Sequence, residues 1–330
     1  VSAAHVLGLL GGVAAGQAMV AAVRLGVFDH LARGPQTDDA LATAIGGDPR
    51  VLVRVLRVAQ THGLLTADAE GRFANTASGD VLRADHPGSL APHVLCIRDE
   101  TIAAMGALDR AVLGPPCALE HAYGEGLWAR LARDPAAEAA FLAFMDASIR
   151  SAAPAVVAAV DWAPARVVVD VGGGRGTLLS AALEAHPHLR GVLFDVPAAF
   201  AGSPDAATRL PDRCARIEGD YRREVPEGAD VYLLCRVLHG WDDDGCRVVL
   251  SRCRHAMAPG GRVVVVERVR PEAPNRVDAL ADLRTMAHTG GEERTRADFE
   301  RVFAAAGLRL ARVAAAGPWM SVIEGVARTQ

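Results

Sequence analysis

The chain has 330 residues, of which 51% are hydrophobic and 22% charged, with a net charge of -4 at pH 7. That balance describes a folded globular chain of about two domains; it excludes intrinsic disorder and lacks the basic excess that a nucleic-acid partner would require. The six cysteines (Cys96, Cys117, Cys214, Cys235, Cys246 and Cys253) contain no C-x-x-C pair, which argues against a zinc centre or a disulfide framework and for reduced thiols in the cytoplasm.

Residues 5–33 carry helical patterns that end with Leu25, Val27, Phe28 and Leu31 on one face. The apolar stretch AAHVLGLLGGVAAGQAMVAAV lacks a basic leader and is broken by glycines and polar positions, so it reads as a buried helix, with no membrane segment. Thr37 with Asp38, then Asp48 with Pro49, are start signals for a helix pair running to about His62. A short hairpin follows, 64–66 against 72–75, and completes a winged-helix pattern over residues 1–88. Arg50, Arg54 and Arg57 line the second helix of the pair, where a DNA-binding protein would read its groove. Asp38, Asp39, Asp48 and Asp68 surround them, however, so the face reads as structural or interfacial.

Residues 89–160 read as helical, interrupted at Pro115 and Pro116. Met105, Trp128, Phe141, Phe144 and Met145 recur there at helical spacing; they suit core packing or, for Met145, the wall of a pocket for a flat apolar substrate.

From residue 161 onward strands and helices alternate. Strand 167–171 runs into Gly172, Gly174 and Gly176 and then into a helical period to about Ala185. Further strands are expected at 192–194, into Ile217, at 231–234 and at 262–267, with helices near Pro197, at 244–257 and at 296–306, and a closing hairpin of 308–313 with 321–327. The pattern is α/β: a Rossmann-like, doubly wound parallel sheet with an antiparallel C-terminal hairpin, whose ligands bind at the carboxyl ends of the strands.

Those ends hold Asp170, Asp195, Asp220 with Tyr221, and His239. An acid after the second strand accepts bonds from ribose hydroxyls, which NAD and S-adenosylmethionine both offer. Asp220 with Tyr221 suits an adenine amine and ring face. Asp170 suits a positively charged methionyl end better than a pyrophosphate, and so favours S-adenosylmethionine. Asp242, Asp243 and Asp244 read as helix-capping acids.

Taken in order, DVGGGRG, LFDVP, EGDY, RVLHGWDDD, APGGRVVVVE and DLRTMAHTGGEERTRADFERVFAAAGL resemble the S-adenosylmethionine-dependent small-molecule O-methyltransferases, of plant phenolic and bacterial antibiotic-tailoring type. The resemblance implies a mainly α N-terminal winged-helix dimerisation domain (1–88), a helical segment contributing to the substrate pocket (89–160), a catalytic domain (161–330) and a homodimer. It implies that Gly172, Gly174, Asp195, Asp220 and Tyr221 contact the cofactor, with Cys235 and Arg236 lining it. His239 would be the general base, flanked by Glu267 and Glu293, and Met145, Trp241, Met286 and His288 would face a small-molecule aromatic or polyketide-like substrate. No metal is implied. Two positions depart from many relatives, which have Asp directly after the histidine and Lys four residues before it; here these are Gly240 and Cys235. A carbon acceptor, a non-methylating tailoring reaction, or a winged-helix ligand-sensing regulator are the competing readings.

Overall fold

The computed structural model describes residues 2–97, 99–200, 210–273, 275–317 and 319–328. The chain divides into two compact units, residues 1–98 and 99–330, so the helices that precede the sheet belong with the sheet.

In the first unit the helices are α1 (Ala3–Arg24), α2 (Val27–Leu31), α3 (Asp38–Ile45) and α4 (Pro49–Thr61). The Thr37 hydroxyl accepts from the Ala40 N–H, and the Asp48 carboxylate accepts from the Arg50 N–H with Pro49 in the first turn, so both starts lie where their cap residues dictate. A hairpin of β1 (Leu65–Ala67) and β2 (Phe73–Asn75) follows, then α5 (Ala77–Asp80) and α6 (Ala91–Leu95). Leu65 pairs with Asn75, one residue beyond the start expected from the sequence. Phe28, Leu41 and Leu56 are wholly buried at the centre of this unit, each worth about 1.5–3 kcal/mol of burial.

The expectation that α1 is a buried helix is incorrect. Only Val20, Ala22 and Val23 are buried, while Val6, Leu7, Leu9, Leu10 and Val13 are exposed, because nothing in this unit packs on the first four turns. Glycines do not interrupt the helix either; α1 and a later helix, Pro135–Ala159, are both long and apolar enough to cross a membrane by length and composition.

The second unit opens with α7 (Asp99–Met105), α8 (Leu108–Leu113), α9 (Ala118–Tyr123), α10 (Leu127–Arg133) and α11 (Pro135–Ala159). The alternating region follows as β3 (Val167–Val171), α12 (Thr177–Ala185), β4 (Arg190–Asp195), α13 (Pro197–Phe200), β5 (Cys214–Glu218) and β6 (Val231–Cys235). After a single 3-10 turn (Leu238–Gly240) come α14 (Asp243–Ala256), β7 (Arg262–Glu267), α15 (Arg276–Thr289), α16 (Arg296–Ala305), β8 (Leu308–Ala315) and β9 (Ser321–Ala327). Helix α15 was not anticipated as an element; its Asn275 cap, which accepts from the Val277 and Asp278 N–H groups, was the available signal.

The seven strands lie in the order β5-β4-β3-β6-β7-β9-β8. Strands β3 to β7 are parallel and β9 pairs antiparallel with both β7 and β8. Strand side chains alternate between two cores. Val169, Leu234, Val263 and Val265 pack with α14 and α16 residues on one face; Val168, Leu233, Val264 and Val266 pack with α11 and α12 residues on the other. A parallel sheet covered on both sides in this way aligns the carboxyl ends of β3, β4, β6 and β7, and the polar residues gather there.

Candidate active site

The glycine turn after β3 is set by backbone geometry. Gly172 and Gly174 have φ of 67° and 56°, in the left-handed region that favours glycine, and an added Cβ at Gly172 would press on Val237 and Tyr221 at 3.0 and 3.2 Å. At Gly174 nothing lies within 4 Å of such a Cβ, so the turn presents open backbone. Asp195, at the end of β4, accepts from the Gly174 N–H at 2.8 Å and from the Val196 N–H at 2.7 Å, and so fixes the turn from the side. Asp170 is 1% exposed and its Oδ1 has no hydrogen-bond partner among the described residues. Burial, and secondarily the charge of Asp195, push its carboxyl up to about 7. A buried, unpartnered carboxylate beneath an open glycine turn calls for a cationic or hydrogen-bond-donating ligand, and this donor set fits the methionyl ammonium and ribose of S-adenosylmethionine.

Asp220 and Tyr221 follow β5. Asp220 accepts from the Arg222 N–H at 2.9 Å and from its guanidinium, which holds the carboxyl below its ordinary value. The Trp241 indole donates to the Tyr221 hydroxyl at 3.3 Å, and the two rings meet edge to face. Trp241, expected from the sequence as a substrate contact, is therefore paired with Tyr221, expected as a cofactor contact.

The turn between β6 and α14 carries His239. Cys235 ends β6 as a buried thiol, pushed well above its ordinary value by burial. Arg236 follows with φ of 59°, a left-handed conformation that costs a non-glycine residue about 1–2 kcal/mol. His239 sits in the 3-10 turn, its Nδ1 at 3.2 and 3.1 Å from the two oxygens of Glu267 at the end of β7, and its backbone N–H also donates to Glu267 at 3.3 Å. With Nδ1–H donated to a carboxylate, the neutral ring keeps Nε2 as an acceptor, and Nε2 has no hydrogen-bond partner among the described residues. Glu267 is 1% exposed; burial would raise its carboxyl, but the His239 ring and the Arg236 guanidinium outweigh burial and hold it below its ordinary value.

Glu293, expected beside His239, directs its bonds elsewhere. Its Oε1 lies 3.4 Å from Arg236 Nη1 and accepts from the Thr285 hydroxyl at 3.0 Å. Arg236, expected along the cofactor wall, turns its guanidinium between Glu293 and Glu267, the latter at 3.5 Å. His288 is engaged with Thr101 at 3.2 Å and the Arg284 carbonyl at 2.8 Å, so both its nitrogens are spent away from His239. Met145 on α11 and Met286 on α15 are half-buried.

Two residues of this site were missed in the sequence. Arg294, 1% exposed, donates to the Leu238 carbonyl at 3.0 Å and the Trp241 carbonyl at 2.9 Å, clamping the turn on either side of His239. Gly291 packs on the backbone of the same turn. A charged residue inside GGEERT carries no local mark of burial, and a glycine pair reads as a loop, so only tertiary packing reveals them.

Known proteins match this geometry along the chain. A profile of the O-methyltransferase domain matches residues 106–309, and one of the O-methyltransferase dimerisation domain matches residues 7–85. The phenazine O-methyltransferase of Lysobacter antibioticus is 35% identical over 311 residues, covering 93% of this chain and 91% of that one. The solved structure of mitomycin 7-O-methyltransferase superposes with a TM-score of 0.92 at 33% identity, covering 98% of this chain and 97% of the other. The neocarzinostatin-pathway O-methyltransferase, solved with S-adenosylmethionine and 2-hydroxy-5-methyl naphthoic acid, gives a TM-score of 0.83 at 32% identity over 95% and 96% of the two chains. The chain belongs to the O-methyltransferase family and carries that family's N-terminal dimerisation domain.

Proposed function

We propose that this protein is a cytoplasmic homodimer that methylates a hydroxyl of an aromatic or polyketide-like natural product with S-adenosylmethionine, using His239 as general base. The observation that carries the reading is the His239–Glu267 pair, with Nε2 free among the described residues, at the carboxyl ends of β6 and β7, β6 being the neighbour of the strand that leads into the glycine turn. The aromatic acceptors named for relatives support the substrate class.

When bound, the cofactor supplies an electrophilic sulfonium methyl. Asp170 and Asp195 would hold its ammonium and ribose, the glycine turn would admit it close to the main chain, and Tyr221 with Asp220 would border the adenine. His239 Nε2 takes the proton of the acceptor hydroxyl as the new bond forms, worth typically ~10²- to 10⁴-fold. Glu267 fixes the ring's tautomer and stabilises the imidazolium that results. Orientation of acceptor oxygen and methyl in line supplies a further share, up to about 7–11 kcal/mol.

The test is His239→Ala with a hydroxynaphthoate or hydroxyphenazine acceptor. Turnover should fall by ~10²-fold or more while calorimetry shows cofactor affinity nearly unchanged. The loss should shrink as pH approaches the acceptor's own pKa. Undiminished turnover at neutral pH in a folded variant would mean that His239 is not the base.

A further inference from the structure

Two carboxylates, one guanidinium and one imidazole share a buried cluster at the ends of β6 and β7. Glu267 and Glu293 are 1% and 2% exposed, and Arg236 Nη1 lies between them at 3.5 and 3.4 Å. Of the two carboxylates, Glu267 alone lies within ion-pair distance of His239 among the described residues. Arg236 is held there by its backbone: its N–H donates to the Val266 carbonyl at 3.0 Å, and its left-handed φ of 59° turns the chain out of β6. That conformation is costly for arginine, and at a site it points to a requirement for this side chain in this place.

We propose that Arg236 is a positioning residue that tunes the basicity of His239 through Glu267, with Glu293 as its counterweight. With His239 neutral the cluster carries two negative charges and one positive. Proton uptake by His239 brings it to zero, so imidazolium formation is favoured during transfer. Without Arg236 the same ring would face two uncompensated carboxylates, which favour its protonated form and make it a poorer acceptor of the substrate's proton. Without Glu293 the guanidinium would commit wholly to Glu267, and the ring would bind its proton less tightly. Glu293 Oε2, buried with no partner, leaves Arg236 and Thr285 as the groups that compensate this carboxylate.

Asp170 apart, the other charged groups around the cluster are paired, and the thiols beside it are neutral. Cys235 and Cys246 are buried thiols pushed upward, and Asp170 is itself pushed up to about 7 by burial. Just beyond β7, Arg268 pairs with Asp278 of α15 at 2.6 Å, and Arg270 with Asp282 of α15 at 3.9 Å. Asp282 also accepts from the Glu293 N–H at 2.9 Å. Arg294 is engaged with Asp243 and Glu292 at 3.1 and 3.3 Å. Arg236 is therefore the one cation bridging the two carboxylates among the described residues.

The proposal rests on His239 acting as base, yet its test needs no acceptor. The full-length protein, labelled with ¹⁵N-histidine, contains 11 histidines, and the signal lost in His239→Ala identifies the ring. Its titration midpoint should rise by about one pH unit in Arg236→Gln, fall in Glu293→Gln, and stay near wild type in Arg236→Lys. Opposite shifts from two neighbours are not what a general loosening of the site produces. A midpoint unmoved in a folded Arg236→Gln, or moved the same way by both neutralising variants, overturns the proposal. If Arg236→Gln does not fold, Glu293→Gln decides alone: an unchanged or raised midpoint overturns it. Should the midpoints shift as stated while His239→Ala keeps full turnover, the charge balance stands and the base assignment falls.

Discussion

Gly291 lies against the main chain of His239 so closely that an added Cβ would overlap the His239 carbonyl and the backbone of Gly240 and Trp241. Gly291→Ala must therefore push the 3-10 turn away from β7 and lengthen the His239–Glu267 bonds. Overpacking of this kind costs about 1–3 kcal/mol. Methyl transfer should fall at least ~10-fold, since small misplacements of a reacting group are expensive. Calorimetric affinity for S-adenosylhomocysteine should stay within about threefold, because the glycine turn after β3 is untouched.

Arg294 clamps the same turn from the other side. Arg294→Met would remove the guanidinium bonds to the Leu238 and Trp241 carbonyls, each charge-assisted bond worth about 1.5–3 kcal/mol, although the Leu238 carbonyl would keep the Trp241 N–H at 3.1 Å. A fall of several degrees in melting temperature should accompany the loss of turnover. Arg294→Lys should rescue little, since a single ammonium cannot reach both carbonyls as the fork does.

Asp170 makes stability depend on pH. Its carboxyl is pushed up to about 7 in the folded protein, mainly by burial, against 3.8 for the ordinary group. Between those values the folded state keeps a proton that the unfolded state releases, so stability is lost as pH rises through the window and stays lower above it. Asp170→Asn removes that titration. The variant without ligand should exceed wild type by about 2–4 kcal/mol at pH 8, and the gap should narrow steadily toward pH 5. A gap that does not change with pH in denaturant titrations would refute the assignment. The same variant should bind the cofactor more weakly, because the amide oxygen still accepts a hydrogen bond but carries no negative charge to oppose a cationic end.

The exposed face of α1 predicts assembly through this helix. Leu7, Leu9, Leu10 and Val13 are each more than half exposed on the isolated chain, an apolar patch that a soluble monomer rarely shows. Leu10→Arg should shift light-scattering mass from two chains toward one and reduce solubility at micromolar concentration. Unchanged mass would place the dimer contact elsewhere.

Much of this was legible because the signals were local. Thr37, Asp48 and Pro49 start their helices where cap chemistry requires, and the run of valines into Gly172 announced a buried parallel strand and its turn. His239 was legible from its place after β6. The burial of α1 was misread because an apolar helix looks the same in sequence whether its partner lies in its own domain or in another chain. Helix α15 lacks a clean apolar stripe, with Asp278, Asp282 and Arg284 among its residues, so its period did not stand out. The division of labour between Glu267 and Glu293 was not legible at all: both are acids near one histidine in the sequence, and only the position of Arg236 separates them.

Strand β9 pairs with β7 along its whole length, Glu267 facing Ser321, although the two are separated by α15, α16 and β8 in the chain. During synthesis the outer edge of β7 therefore stays open until residues 321–327 have emerged. Contacts of such long sequence separation form late. Glu267, the partner of His239, is thus among the last parts of the site to be secured on the ribosome, long after the glycine turn of β3 has met β4.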